Sequence, residues 1–228
     1  MNKRLPFPGI HALALCAACA SAPLSAQAAL TLTIPTQFLE ANAIQAFSDR
    51  ALKAFSAVDI EVSAAGNATA VADIPGAYNL PVTNISLQLV KVSGGASVGS
   101  ALEFNRLNDF DENRKVVLAN FKLDFNKKKV LADATYNGAT QAATPVYDFQ
   151  EQTALAIKYR FPLSITAHQV LDQLFLTPEA KTVFTQGLDL PPFTQPILNN
   201  TDFGTITVDV QVKVRKQPVS TKPYVPSP

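Results

Sequence analysis

The residues with the clearest catalytic potential are a serine and a histidine. Residues 95–99, Gly-Ala-Ser-Val-Gly, match the G-x-S-x-G pattern of a nucleophile elbow, in which a strained strand-to-helix turn presents the serine to an ester carbonyl. An acid and a histidine must complete such a triad. The chain offers them in the order found in α/β hydrolases: Ser97, then Asp124, Asp133 or Asp148, then His168.

The sequence around this serine does not favour an elbow. A helix must follow the nucleophile, but Leu102-Glu103-Phe104 is typical of a strand. His168 falls in the first turn of a predicted helix, where an imidazolium would oppose the helix dipole. We therefore interpret residues 93–100 as a glycine-rich hairpin loop. A secreted serine hydrolase that uses Ser97 and His168 is kept as an alternative.

The first 28 residues are typical of a signal peptide. Lys3 and Arg4 precede an apolar run over residues 10–20, and Ala-Gln-Ala at 26–28 fits the specificity of signal peptidase. Cys19 as a lipidation site is the less favoured reading. Both cysteines and the single methionine lie in this leader, so we expect an exported chain without disulfides, in the periplasm or the extracellular space.

The composition after cleavage excludes several classes of partner. Seventeen basic side chains face 18 acidic ones over residues 29–228, and such a balance argues against a nucleic-acid partner. No later stretch approaches the ~18 apolar residues of a membrane-spanning helix. We expect one β-rich globular domain over residues 29–216 and a flexible, proline-rich tail over residues 217–228.

A second candidate site has oxygen ligands at alternate positions. Asp109, Asp111 and Asn113 are spaced as in a calcium loop. The EF-hand pattern fails because its sixth position is Arg114 instead of glycine and its twelfth is Asn120 instead of glutamate. We interpret the segment as a polar turn between strands, with a weak calcium site as the alternative, and we predict no metal.

Three consecutive lysines, Lys127, Lys128 and Lys129, follow a predicted strand. Like charges at a turn usually form a solvated loop that protects a sheet edge, but they can also contact anionic lipid or polysaccharide. We favour the solvated loop. These lysines are the one sequence feature that supports binding to a surface.

Aromatic residues suggest a third class of function, a carrier. Phenylalanines at helical spacing could line a pocket for an apolar ligand, although such a set is usually ordinary core: Phe38, Phe47 and Phe55. With cysteine and methionine gone, the remaining haem ligands are Tyr136, Tyr147, Tyr159 and His168. A carrier of an apolar ligand or haem is the third hypothesis, and we predict no cofactor.

Alternation of apolar and polar residues predicts mainly strands. Asn137-Gly138 predicts a two-residue type I′ hairpin, because both positions tolerate a positive φ. The predicted strands lie at residues 30–34, 58–62, 85–89, 117–125, 130–136, 153–161 and 206–214.

A change of period predicts two or three helices. The first extends from about Thr36 to Phe55 and forms a β-α-β opening with its flanking strands. A second begins at Thr166, with Gln169 completing a capping box, and a third runs from Pro178 to Gly187. The resulting fold class is α+β, a mainly antiparallel sandwich or partly closed barrel with the helices on one side or end.

Four short motifs remain, at residues 80–83, 120–124, 145–148 and 204–208. They resemble motifs of a group of secreted bacterial envelope proteins of uncharacterised function. Where that group has a His-Ser-Gly-Gly element, this chain has Ser-Gly-Gly without the histidine. The resemblance implies a self-contained envelope or extracellular domain with no known catalytic site. We therefore expect a non-catalytic binding or structural module of the bacterial periplasm or cell surface, with an unknown envelope or extracellular partner.

Overall fold

The computed structural model describes residues 31–88, 91–153, 156–160 and 164–227. The predicted signal peptide and its cleavage site lie outside the described residues. Within them, the strands are β1 (Thr31–Pro35), β2 (Leu39–Phe47), β3 (Ile60–Gly66), β4 (Thr69–Ala70), β5 (Ala77–Pro81), β6 (Asn84–Gln88), β7 (Lys91–Leu107), β8 (Asn113–Asp124), β9 (Lys129–Tyr136), β10 (Ala139–Glu151), β11 (Ala156–Arg160), β12 (Ser164–Leu176) and β13 (Gly204–Val214). The helices are α1 (Asp49–Ser56), α2 (Pro178–Gly187) and α3 (Gln195–Asn200), and a 3₁₀ turn (Pro192–Thr194) precedes α3.

All the described strands belong to one antiparallel sheet that is curled into a half-barrel. Its strand order is β1-β6-β7-β8-β9-β10-β12-β13-β2-β5-β4, with β3 paired to β7 and β11 paired to β12. The α+β class and the mainly antiparallel pairing agree with the sequence-based prediction. The sandwich form of that prediction is not confirmed.

Val82 and Thr83 connect β5 to β6, two strands that lie near opposite ends of this strand order. The Val82 N–H, after β5, donates to the Ala41 carbonyl of β2 (2.9 Å), and the Thr83 N–H, before β6, donates to the Ala96 carbonyl of β7 (2.8 Å). Because β5 pairs with β2 while β6 pairs with β7, the link holds both partners beside one concave interior.

The predicted helix over residues 36–55 is wrong for most of its length. Residues 39–47 form β2, in which buried residues alternate with half-buried ones, and only α1 is helical. The α1 helix begins at its N-cap Ser48, whose Oγ accepts from the Ala51 N–H at 3.1 Å. The apparent helical period arose because Phe47 and Phe55 are eight residues apart on two different elements that face the same core.

The helix predicted at Thr166 is also wrong. Residues 164–176 form β12, which pairs with β10, β11 and β13. Ladder hydrogen bonds on both edges and the complete burial of Leu171 and Leu174 outweigh a local capping pattern. By contrast, α2 begins as predicted, since the Thr177 Oγ1 accepts from the Ala180 N–H at 3.2 Å.

The predicted hairpin at Asn137-Gly138 is confirmed, with φ values of 48° and 76° in the turn between β9 and β10. Among the described residues, no helix is long and apolar enough to cross a membrane.

The proline-rich segment after residue 216 lies against the outer face of the sheet without regular structure. The Tyr224 N–H donates to Asn120 Oδ1 (2.8 Å), and its hydroxyl donates to Glu103 Oε1 (3.0 Å). Asn67 Nδ2 donates to the Ser220 carbonyl at 2.7 Å. The Tyr224 ring packs on a small apolar cluster centred on Val117, so the expected tail is docked at several points.

Candidate binding cavity

The interior of the half-barrel has a filled end, where helices and large rings occupy the space between the strands. The centroids of the Phe104 and Phe184 rings are 4.9 Å apart at 88°, and those of Phe47 and Phe55 are 5.1 Å apart at 86°. Gly187 lets α2 approach β8 closely, because a Cβ there would lie 2.4 Å from Val116 Cγ2. This end is a packed core.

The opposite end of the same interior is hollow. A cavity of about 300 Å³ lies between β2, β7, β12 and β13. Small inward-facing residues leave this space: Ala43, Gly95, Ser97 and Ala167.

The walls of the cavity are apolar. Residues of β5 and β6 close one side, and residues of β8, β9 and β13 close the other. They include Leu80, Ile85, Leu87, Phe121, Leu123, Val130, Val208 and Val210. Ile34, which is 38 % exposed, lies at the rim. Such a site favours an apolar guest, because water inside it would lack hydrogen-bond partners along the walls.

A hydrogen-bonded polar pair, Gln45 and Tyr147, lies where the cavity lining meets the packed core. Gln45 is 1 % exposed and lines the cavity, and its Nε2 donates to the Tyr147 hydroxyl at 3.2 Å. Gln45 Oε1 is buried and has no hydrogen-bond partner among the described residues. Burial raises the pKa of Tyr147 far above its ordinary value, while the hydrogen bond from Gln45 opposes that rise. The phenol is therefore neutral at physiological pH and suited to act as a hydrogen-bonding group.

A wider depression of about 670 Å³ lies beside α1 and β3. It is open to solvent, and Asp59, Glu61 and Asn105 contribute to its lining. It does not enclose a guest as the apolar cavity does.

The structure does not bring Ser97 and His168 together. Ser97 lies within β7, so the predicted hairpin loop over residues 93–100 is wrong, and its hydroxyl donates to the Leu80 carbonyl at 3.2 Å. Ala167 and Gln169 line the cavity, which places His168 between them on the outer face of β12. There His168 Nδ1 is 2.7 Å from Asp209 Oδ1 on β13.

The three candidate acids for that triad all form hydrogen bonds or ion pairs with other groups. Asp124 Oδ1 accepts from the Lys127 N–H, Asp133 Oδ2 accepts from Asn120 Nδ2, and Asp148 pairs with Lys129 at 2.5 Å.

The acidic segment at residues 109–113 connects β7 to β8, as the predicted polar turn requires. Asp109 pairs with Arg106 at 3.1 Å, and Asn108 Oδ1 accepts from the N–H groups of Phe110 and Glu112. Among the described residues, no group of three or more His, Cys, Asp or Glu side chains is placed to hold a metal ion.

The lysine turn lies at the rim of the cavity. Phe125, which lines the cavity, is followed by a turn that contains Lys127 and Lys128, while Lys129 begins β9 and pairs with Asp148. Because neighbouring strands are antiparallel, residues 125–128 and 215–216 lie at the hollow end. These two segments carry four basic residues and no acidic residue.

The filled end has the opposite charge. Its connecting segments, residues 48–59, 67–76, 108–112 and 177–203, carry nine acidic and three basic side chains. The turns at residues 125–128 and 215–216 are thus basic, whereas the connecting segments of the filled end are mainly acidic.

The predicted aromatic ligand groups lie mostly away from the cavity. Phe47 and Phe55 belong to the packed core, and Phe38 is 54 % exposed in the turn before β2. For haem, Tyr136 packs against the core and Tyr147 is fully engaged by burial and Gln45. His168 faces outward, and of Tyr159 the structure gives only its place in β11. Tyr136, Tyr147 and His168 do not converge on one iron position.

Gln45 is the buried polar residue on the cavity lining that the sequence analysis missed. It occupies the inward position of β2 between Ala43 and Phe47, in a series of otherwise apolar residues. A polar residue in the buried phase of a strand would have been the signal, but the segment was assigned to a helix.

Comparisons with models of protein families, with curated proteins and with solved structures yield no match to this chain.

Proposed function

We propose that this chain is an exported, non-catalytic binding protein of the bacterial envelope that holds a small apolar ligand in the hollow end of its half-barrel. One observation carries the proposal: the cavity of about 300 Å³ has almost entirely apolar walls and opens at one end of an otherwise packed interior. This volume is at the lower limit of the usual range of ligand pockets, about 300–1,000 Å³.

The arrangement of side chains favours binding over catalysis. Ser97 faces the interior and His168 the exterior, so the nucleophile and base of a hydrolase are separated by the sheet. We expect no turnover of simple esters. Ester hydrolysis that Ser97→Ala and His168→Ala each abolish would contradict this expectation.

A fluorescent probe and a matched pair of variants test ligand binding. Val208→Phe places a ring in the cavity, whereas Thr207→Phe places the same ring on the outer face of β13. We expect an apolar, environment-sensitive dye to bind both the unmodified protein and the Thr207→Phe variant. In the Val208→Phe variant the fluorescence signal of the bound dye should be lost. Equal binding by both variants would show that the dye does not occupy the cavity.

Export is tested by the intact mass of the secreted protein. The small residues Ala26 and Ala28 fit signal peptidase, so the mature chain should begin at Ala29. A product that retains residues 1–28, or that carries lipid on Cys19, would place the protein on a membrane instead.

A second candidate function is binding of the hollow end to an anionic surface, and the observation that favours it is the pair of basic turns at residues 125–128 and 215–216. Lys127→Gln with Lys128→Asn removes two of these charges, and asparagine suits the φ of 52° at residue 128. We expect this variant to bind vesicles of anionic lipid less tightly than the unmodified protein.

The matched control removes two lysines at the filled end, Lys53→Gln with Lys181→Gln. Binding to anionic vesicles should be unchanged in the control and should weaken as salt is added in the unmodified protein. Equal binding to zwitterionic vesicles would reject the surface function without affecting the ligand cavity.

A further inference from the structure

We propose that two copies of this chain associate through a peptide-binding groove on the outer face of the sheet, each placing its C-terminal segment in the groove of the other. The inference goes beyond the proposed function and does not depend on the cavity. It starts from residues 220–224, which lie on the sheet as a bound peptide would. The tail groove, as we name their seat, is formed by residues 66–67, 99, 103 and 117–120.

Two asparagines bind the backbone of this segment. Asn120 makes a paired contact with Tyr224: its Oδ1 accepts from the Tyr224 N–H at 2.8 Å, and its Nδ2 donates to the Tyr224 carbonyl at 3.1 Å. Asn67 Nδ2 donates to the Ser220 carbonyl at 2.7 Å. Main-chain hydrogen bonds of this kind give affinity for an extended peptide in any side-chain sequence.

Two glycines let the segment lie close to the sheet. A Cβ on Gly99 would lie 2.8 Å from the Lys222 carbonyl oxygen, and a Cβ on Gly66 would lie 2.8 Å from a ring carbon of Tyr224. A larger residue at either position would therefore displace the segment. Glycine is the residue that allows such a close backbone approach.

One tyrosine gives the contact its specificity. The Tyr224 ring packs on a small apolar cluster of Ala101, Val117 and Ala119, and its hydroxyl donates to Glu103 Oε1 at 3.0 Å. The tail groove therefore favours an extended segment with a tyrosine at this position, because a smaller side chain would leave the cluster uncovered.

The segment can leave the groove at a low cost in free energy. Residues 216–218, which connect it to β13, are exposed and have no regular structure, and residues 221–223 are exposed as well. Within the segment itself, Tyr224 is the residue that is partly buried. Segments with few buried contacts open far more readily than the core does.

A second copy is the partner that this geometry favours. The tail groove fits residues 220–224 of this chain, and every copy carries both the segment and the groove. Two copies that exchange segments keep these contacts and form a closed, two-fold symmetric dimer. The chain's own segment competes at an effective concentration of millimolar order, so the dimer should increase with protein concentration.

Sedimentation velocity of the full mature chain over a series of concentrations tests the exchange. We expect the unmodified protein to shift from monomer to dimer as its concentration rises, and Tyr224→Ala to stay monomeric. The matched control, Val225→Ala, changes the exposed neighbour of Tyr224 and should form the dimer. Asn120→Gly removes the groove side of the contact and tolerates the φ of 55° at that position, so it should stay monomeric too.

A peptide probe tests the unmodified protein without any variant that could fail to fold. A synthetic peptide of residues 217–228 should occupy the tail groove and convert the dimer to monomer. The same peptide with Tyr224→Phe should need about a tenfold higher concentration, because it lacks the hydrogen bond to the Glu103 carboxylate.

Three results would overturn the inference. An unmodified protein that stays monomeric at every concentration would show that the segment binds within its own chain alone. A dimer that persists in Tyr224→Ala would use a different surface of the protein. A dimer that the two peptides dissociate equally well, or not at all, would show that the tyrosine contact does not hold the two copies together.

Discussion

The two ends of the half-barrel are built from the same strands and differ in the size of the side chains that face inward. On β2 the filled end has Phe47 and the hollow end has Ala43; on β7 the corresponding residues are Phe104 and Gly95. The backbone continues through both ends, so the cavity is encoded by side-chain volume. A sheet of this kind can be a core over half its length and a binding site over the other half.

Removing a large side chain should have very different costs at the two ends. Phe104→Ala deletes a ring that contacts Phe47, Phe55 and Phe184, and we expect a loss of about 3–5 kcal/mol in the free energy of unfolding. Phe125→Ala at the partly exposed cavity rim should cost about 1 kcal/mol. Urea titration measures both values, and similar costs would contradict the division of the interior.

Enlarging a side chain should also cost more at the filled end than at the hollow end. Ala134 is fully buried in the filled part of the interior, and Ala134→Leu should lower the free energy of unfolding by about 1–3 kcal/mol through overpacking. Ala43→Leu adds the same atoms beside empty space and should change stability by less than about 1 kcal/mol. The second variant should also lose dye binding, which ties the empty volume to the ligand.

The sequence predicts the sheet better than it predicts the site. Apolar and polar residues alternate over the whole of β13 and most of β8, and Asn137-Gly138 favours the positive φ values of its turn. These elements can therefore be predicted from their local sequence alone. The segment at Thr166 contains a good capping pattern, but pairing with strands distant in sequence decides its structure.

The cavity could not be predicted because it depends on which small residues face one another. Ala43, Gly95 and Ala167 are far apart along the chain and meet only through the strand register. Gln45 marks the site once β2 is known to be a strand. Without that assignment it is one polar residue among many.

Tyr147 lies between the two ends and tests whether the inner end of the cavity is dry. Its ring is in contact with Phe203 of the packed core, with centroids 5.9 Å apart, and its hydroxyl accepts from Gln45 on the cavity lining. Burial raises its pKa in the folded state, whereas an unfolded tyrosine titrates near pH ~10. The folded chain therefore retains a proton that the unfolded chain loses above that pH.

This difference in proton binding sets the sign of the pH dependence. The stabilising contribution is fully present below pH ~10 and is lost as the pH rises above that value, by about 1.4 kcal/mol per pH unit for one group. Tyr78 and Tyr224 also have raised pKa values, so the unmodified protein should lose stability through several groups. Tyr147→Phe should remove one group's share of this slope in urea titrations between pH 9 and 11. An unchanged slope would mean that water reaches the phenol through the cavity, and the boundary between the hollow and filled ends would then lie deeper than Gln45.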